Sequence, residues 1–289
     1  MIYLNGKLVK KEDAKVSVFD HGLLYGDGVF EGIRSYDRLV FKLHEHMDRL
    51  YASAQGISLT IPMEKKEMEK AIMDTLKANA LRDAYIRAVV TRGDGDLGLD
   101  PRNCRRATVF IIADKIALYP TDLYRKGLKI VTVPTRRNIP ESLNPQIKSL
   151  NYLNNILGKI EAINAGVPEA IMLDQSGFVT ECTGDNIFMI KDDLLLTPPV
   201  SVGVLNGITR QAVLALGEKA GFRAQERMLT RFDLFTSDEV FLTGTAAEII
   251  PVVMIDGRSI GTGRVGTRTL ALTEDFRKLT KKDGVRYAL

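Results

Sequence analysis

Residues 117–127, ALYPTDLYRKG, set Pro120, several polar side chains and Gly127 between two stretches that each carry their own strand and helix patterns. Proline disrupts a continuing ladder or helix, and glycine lets the chain turn freely, so such a segment marks a connection. The chain is 289 residues long, which suits two modest domains better than one core. The break therefore predicts an N-terminal α/β domain over residues 1–118, a linker over 119–127 and a C-terminal domain over 128–289.

Ahead of the break, MIYLNGKLVKKED reads as a short strand and a polar turn, and residues 16–36 are glycine-punctuated and rich in β-formers. LHEHMDRLYASAQG places Leu43, Met47, Leu50 and Ala54 at helical spacing, with Gly56 as a stop. KKEMEKAIMDTLKANA predicts a second helix. YIRAVVTRG and ATVFIIADK predict strands, the second largely buried. After the break come the strand LKIVTVPT, a proline-containing loop and a helix from about Ser149 to Ala165. Its expected core stripe is Leu150, Leu153, Ile156, Leu157, Ile160 and Ile163, and Gly166 ends it. Short strands follow at EAIMLD, FVTEC, NIFMI and LLLTPP, then the helix ITRQAVLALGEKAG, the strands EVFLTG and EIIPVVMIDG, and a closing helix near 265–281. The fold class is α/β or α+β, with a smaller first domain and a larger, strand-rich second one.

Composition narrows the function. Lys plus Arg number 40 against 36 Asp plus Glu, and the net charge of +4 is spread along the chain, which argues against a nucleic-acid surface. No apolar run reaches the length of a membrane span, and the N-terminus lacks a signal peptide's apolar core. Cys104 and Cys182 lie far apart with no CxxC or Cys/His spacing, so neither a disulfide framework nor a metal site is expected. A cytoplasmic enzyme fits these facts.

Four segments carry chemistry. Asn206-Gly207-Ile208-Thr209-Arg210 opens a helix whose unpaired N–H groups favour a phosphate, and the Thr209 hydroxyl adds a donor. Thr243-Gly244-Thr245-Ala246-Ala247 follows a strand and lets backbone and hydroxyls approach an anion, Gly244 and Thr245 foremost. Arg49, on the helix after FKLHEHMD, has the fork for a bidentate phosphate contact. Lys148, in Gln146-Ile147-Lys148-Ser149-Leu150-Asn151-Tyr152, falls where a loop meets a helix start, whose positive end disfavours the ammonium form. A lysine so tuned attacks a carbonyl cofactor to form an imine. Singly, each segment has a commoner meaning: a capped turn, a surface arginine, a solvated lysine.

Together they resemble the fold-type IV pyridoxal phosphate enzymes, and within those the branched-chain amino acid aminotransferases. The resemblance runs through YLNGKLV, GLLYGDGVFEGIRSYD, FKLHEHMDRL, AYIRAVVTRGD, IKSLNYLNNILGKIEA, ECTGDNIF, LNGITRQAV and LTGTAAEIIPV in family order. It implies pyridoxal 5'-phosphate as cofactor. Lys148 matches the lysine that forms the internal aldimine and then shuttles the proton. Glu181 matches the carboxylate on the pyridine nitrogen, where it keeps the ring an electron sink. Arg49, Ile208, Thr209 and Thr245 match the phosphate cup, Tyr152 the phenol near the ring hydroxyl, and Leu205 the side chain packed on one ring face.

Substrate selection centres on Tyr85-Ile86-Arg87, a strand that sends Tyr85 and Arg87 to one face. Arg87 could hold glutamate's distal carboxylate while apolar walls accept a branched side chain. Phe30, Gly32 and Arg34 also share a face, Phe30 as an apolar wall and Gly32 leaving room for substrate. The resemblance makes Tyr-x-Arg the mark of the branched-chain enzymes. It also assigns Tyr25 and Phe30 to the pocket, Tyr25 from a neighbouring subunit, and backbone groups of Thr245 and Ala246 to the substrate α-carboxylate. The implied activity is a ping-pong exchange of amino acids and 2-oxo acids, from L-leucine, L-isoleucine or L-valine to 2-oxoglutarate, by a homodimer or larger homo-oligomer. Two rivals share the fold, D-amino acid aminotransferase and aminodeoxychorismate lyase. IKSLN also occurs in the D-specific enzymes, but Tyr85-x-Arg87 favours the branched-chain reading. A third reading, a non-catalytic protein binding a phosphorylated ligand, leaves the Lys148 and Glu181 matches unexplained.

Overall fold

A computed structural model describes residues 1–115 and 119–289. The expected end of the first domain at residue 118 lies outside the described residues. The chain forms two compact units, one of Met1–Ile116, Ile147–Asn151 and Thr280–Leu289, the other of Ala117–Gln146 and Tyr152–Leu279. These units differ from the expected linear division in that residues 147–151 and 280–289 pack with the first.

The first unit opens with a hairpin rather than one strand. β1 (Ile2–Leu4) and β2 (Lys7–Val9) turn through Asn5 and Gly6, both at positive φ. The β-rich stretch 16–36 holds a short helix, α1 (His21–Tyr25), because the Asp20 carboxylate caps Gly22 N–H at 2.8 Å and Gly26 closes the turn at φ 70°. β3 (Gly28–Tyr36), β4 (Leu39–Phe41), α2 (Leu43–Gly56), α3 (Lys65–Ala78), β5 (Ala84–Thr91) and β6 (Thr108–Asp114) follow. The predicted stripe Leu43, Met47, Leu50 and Ala54 of α2 is buried with Met68, Ile72 and Leu76 of α3. These residues share a core with Val29 and Ile33 of β3 and with Ile86, Ala88 and Val90 of β5. In β6, Val109 and Ile111 join that core while Ile112 is exposed, so the strand is buried on one face rather than largely buried.

The second unit begins, within the expected linker, with a short helix α4 (Thr121–Lys126), closed by Gly127 at φ 78°. Then come β7 (Leu128–Thr132), α5 (Pro140–Leu143), α6 (Leu153–Asn164), β8 (Ala170–Leu173), β9 (Val179–Cys182), β10 (Asn186–Lys191) and β11 (Leu194–Thr197). α7 (Ile208–Lys219), β12 (Arg223–Glu226), α8 (Arg231–Phe235), β13 (Glu239–Gly244), β14 (Glu248–Ile255), β15 (Arg258–Ser259) and α9 (Thr267–Leu279) complete it. The sheet runs β12-β11-β10-β13-β14-β7-β8-β9, with β15 on β14. β8, β9 and β13 are almost continuously buried, as strands covered on both faces are. The chain ends in β16 (Gly284–Arg286), unforeseen from its three residues, which pairs with β4 in the first sheet, ordered β16-β4-β3-β5-β6-β1-β2.

α6 corrects the expected stripe. Leu153, Ile156, Leu157, Ile160 and Ile163 are all exposed, while Asn155, Gly158 and Ala162 are buried. Small residues let this helix approach closely: a Cβ on Gly158 would lie 3.4 Å from Thr183 Cγ2, and Ala162 packs with Ala170 and Met172. The helix also starts at Leu153 rather than Ser149, because the preceding segment pairs with β3. Phe30 N–H donates to Lys148 O at 3.0 Å and Leu150 N–H to Gly28 O at 2.9 Å. No helix among the described residues is long and apolar enough to cross a membrane.

Candidate active site

In the first unit, Lys148 is therefore held in an extended segment beside β3 and not at a helix start. Its N–H donates to Ser53 Oγ at 3.1 Å, and its Nζ stands 4.6 Å from the centre of the Phe30 ring. Arg87 reaches the same ring, with Cζ at 4.4 Å, and its Nη2 donates to the Tyr85 hydroxyl at 3.1 Å. Gly32 is paired with Arg87 across β3 and β5. A Cβ there would meet the Tyr85 hydroxyl at 2.1 Å, so the room that Gly32 leaves is taken by a phenol. Lys148, Phe30, Tyr85 and Arg87 thus form one group of an amine, a guanidinium, an apolar ring and a hydroxyl. Arg34 turns to the Tyr36 ring instead. Tyr25 is partly exposed and donates to Leu97 O at 2.6 Å.

Arg49 points into the fold, not to solvent. Its Nε and Nη2 donate to Glu31 at 2.7 and 2.8 Å, and His46 Nδ1 lies 2.7 Å from the same carboxylate. Burial opposes the charge on Glu31, but Arg49 and His46 outweigh it and hold the carboxyl far below the usual range. Burial lowers the His46 pKa, Glu31 opposes the drop, and Arg49 and Lys148 add to it. Sequence reasoning missed Glu31. Its signal was a carboxylate in the inward alternation Val29-x-Glu31-x-Ile33, facing a helix with His46 and Arg49 three residues apart.

In the second unit, Glu181 lies on buried β9. Its Oε1 accepts from Arg137 Nε at 2.8 Å, and its Oε2 accepts from Asn186 Nδ2 and Leu205 N–H, each at 3.1 Å. Asn186 also donates to Leu205 O at 3.0 Å, which ties β10 to the loop before α7. Gly207 is the N-cap residue of α7, and a Cβ there would fall 2.1 Å from Asn186 Oδ1. Ile208 and Thr209 form the buried first turn, anchored by Arg210, which is almost fully buried, donates to Pro198 O at 2.9 Å and pairs with Glu226. Gly244 ends β13 and Thr245 and Ala246 turn into β14, all half-buried. A Cβ on Gly244 would meet Asp185 Oδ1 at 2.0 Å. Tyr152, half-buried, precedes α6. The roles of Arg137, Asn186 and Asp185 escaped the sequence reading because each comes from a direct contact, with Glu181 or Gly244, that only the fold creates.

The second unit therefore brings together a fixed carboxylate, a glycine-capped helix start and a glycine-ended strand turn. The first brings together an amine, a guanidinium and an aromatic wall. The model of the family described as amino-transferase class IV matches residues 28–255. The chain belongs to that family. A class IV aminotransferase is a pyridoxal-phosphate-dependent transferase, and its mixed, strand-rich fold of type IV is the one found here. A Methanocaldococcus jannaschii protein, named as a candidate branched-chain-amino-acid aminotransferase, is 55% identical over 285 residues, covering 99% of this chain and 98% of the relative. The Escherichia coli branched-chain-amino-acid aminotransferase is 38% identical over 281 residues, 95% of this chain and 91% of the relative. A crystal structure of the Escherichia coli enzyme matches with a TM-score of 0.94, at 38% identity over 96% of this chain and 94% of that one. The branched-chain amino acid aminotransferase of Thermobaculum terrenum, in its PLP-bound holo form, matches with a TM-score of 0.89 and 30% identity, covering 98% and 94% of the two chains.

Proposed function

We propose that this class IV aminotransferase transfers the amino group reversibly from L-leucine, L-isoleucine or L-valine to 2-oxoglutarate by a ping-pong course. The observation that carries the reading is the Phe30 ring, with Lys148 Nζ at 4.6 Å and Arg87 Cζ at 4.4 Å from its centre. A reacting amine beside an apolar wall suits a branched aliphatic side chain, and the guanidinium beside the same wall suits the distal carboxylate of a glutamate-type partner. The named relatives support the same class of substrate.

The residues present fit pyridoxal 5'-phosphate. An ionised carboxylate has about four acceptor positions. Glu181 uses three, for Arg137, Asn186 and Leu205, which leaves one on Oε1 for a ring N–H. Gly207, Ile208 and Thr209 offer the N–H groups of a helix start to the phosphate. Arg49 keeps the phosphate role that the resemblance gives it, and within the second unit the Gly244–Ala246 turn would hold the phosphate through Thr245 and the substrate α-carboxylate through Thr245 and Ala246. Tyr152 would face the ring hydroxyl and Leu205 one ring face. When bound, the cofactor supplies an electron sink for the electrons left at the substrate Cα. Lys148 would anchor it covalently and, once displaced, carry the proton to and from Cα through Nζ.

A homodimer or larger assembly belongs to this reading, with Tyr25 serving a neighbouring copy, and so does a cytoplasmic setting. The exposed apolar stripe of α6 supports assembly. The test is kcat/KM for L-leucine, L-valine and D-alanine with 2-oxoglutarate. Preference for the L-amino acids by about a hundredfold is expected. Preference for D-alanine would overturn the branched-chain reading in favour of the D-specific branch.

A further inference from the structure

The Tyr119 hydroxyl stands between two buried carboxyl groups, 3.2 Å from Asp185 Oδ2 and 3.3 Å from Glu169 Oε2. A phenol has one proton, so it can donate to only one of them. The other contact is a hydrogen bond only if that carboxyl carries a proton and donates to the phenol oxygen. Glu169 is the poorer candidate. Its Oε1 already accepts from Ala170 N–H, Thr183 N–H and the Thr183 hydroxyl, and its Oε2 faces the Lys159 ammonium at 3.4 Å. All of these are donors to its oxygens, so Glu169 needs no proton of its own to complete its hydrogen bonds. For the Asp185 carboxyl, Tyr119 is the one hydrogen-bonding partner among the described residues.

The remaining titratable groups around Asp185 are Glu169 ahead of β8, Lys159 of α6, and Glu181 and Cys182 of β9. Burial, reinforced by Glu169, pushes the Asp185 carboxyl up to about 7, with Tyr119 and Lys159 opposing and Glu181 adding to the rise. Burial also keeps the Cys182 thiol well above its ordinary range and raises the Tyr119 phenol, so neither supplies a competing charge near neutral pH.

Asp185 Oδ1 also packs against Gly244, where a Cβ would come within 2.0 Å of it, and Gly244 opens the turn carrying Thr245 and Ala246. A negative charge against that turn would repel an anion bound by its amides.

We infer that Asp185 is a positioning residue, held as a neutral acid against the Gly244–Ala246 turn, and that its ionisation weakens the turn's hold on anionic groups of cofactor and substrate. The inference rests on the proposed reading of that turn as an anion site. The proton passes from the Asp185 carboxyl to solvent as pH rises, with no other bond made or broken.

The test is pyridoxal 5'-phosphate binding to the apoenzyme, followed by visible absorbance at about pH 6 and about pH 8.5, for wild type and Asp185→Asn. Asparagine keeps the shape, stays neutral and can still donate to Tyr119. The two proteins should bind equally well at the lower pH. At the higher pH the wild-type Kd should exceed that of the variant by about three- to tenfold. A ratio unchanged with pH would overturn the inference while leaving the cofactor reading intact, and this includes a variant weakened equally at both values. Failure of wild type to bind at either pH would remove the cofactor reading, and the inference with it. Should Asp185→Asn not fold, infrared difference spectra of wild type serve instead. They should show a protonated-carboxyl stretch that disappears between the two pH values and shifts in Tyr119→Phe. No such titrating band would again overturn the inference.

Discussion

Arg137 Nε donates to Glu181 Oε1 at 2.8 Å, and less than a tenth of either side chain is exposed. A buried pair of this kind gains little over an apolar pair, but breaking it leaves a charge stranded. Arg137→Met should therefore cost about 3–5 kcal/mol in urea unfolding. The double variant with Glu181→Met should lose less than Arg137→Met alone. A double-variant loss equal to the sum of the Arg137→Met and Glu181→Met losses would mean that the pair is not coupled.

Glu181→Gln tests the other end of that contact. It keeps the hydrogen-bonding shape but removes the charge proposed to hold a proton on the ring nitrogen. Turnover of L-leucine should fall by about a hundredfold or more, with cofactor still bound. Near-normal turnover in steady-state assays would remove Glu181 from the mechanism.

Glu31 joins Arg49 and His46 in a buried cluster that holds its carboxyl far below the ordinary range. A lowered pKa contributes stability above the unfolded value, and that stability is lost as pH falls through the folded one. Glu31→Gln should therefore cost about 3 kcal/mol at neutral pH. The difference from wild type should shrink below about pH 4.5, as measured by denaturant unfolding across that range. A pH-independent difference would contradict the charge argument.

Asp185 predicts the opposite sign. Its folded value near 7 lies above the ordinary 3.8. Stability from the bound proton is full below the unfolded value and is lost as pH rises through the folded one. Asp185→Asn should match wild type at about pH 4 and exceed it by about 4 kcal/mol at pH 8. Thermal unfolding at the two pH values separates this from a uniform effect of the substitution.

What was legible in the sequence follows from how local each signal is. The α2 stripe was readable because Leu43, Met47, Leu50 and Ala54 repeat at helical spacing and all face one core. In α6 the same pattern misled. Periodicity marks an apolar face but cannot say what it meets, and here Asn155, Gly158 and Ala162 make the close approach. Lys148 was visible as a residue type in a motif, but its backbone pairing with Phe30, more than a hundred positions away in sequence, was not. Glu31, Arg137 and Asp185 escaped for the same reason. Each is defined by a partner distant in the chain: the alternation around Glu31 turns it inward but does not name Arg49 and His46, and Arg137 and Asp185 carry no spacing at all.

The α6 stripe carries its own expectation. If Leu153, Ile156, Leu157, Ile160 and Ile163 are covered in an assembly, Ile156→Glu with Ile160→Glu should shift sedimentation toward a smaller species. Solvent-facing changes of this kind cost the fold of one chain little, about 0.5 kcal/mol each. An unchanged sedimentation coefficient would show that this face is not part of the assembly.

Lys148, set against Phe30 and Arg87, is the residue proposed to carry the cofactor. The most direct measurement is borohydride reduction of the protein loaded with pyridoxal 5'-phosphate, followed by peptide mapping. A phosphopyridoxyl group is expected on the peptide containing Lys148 and on no other, with labelling lost in Lys148→Ala. Label on another lysine, or undiminished label in that variant, would contradict it.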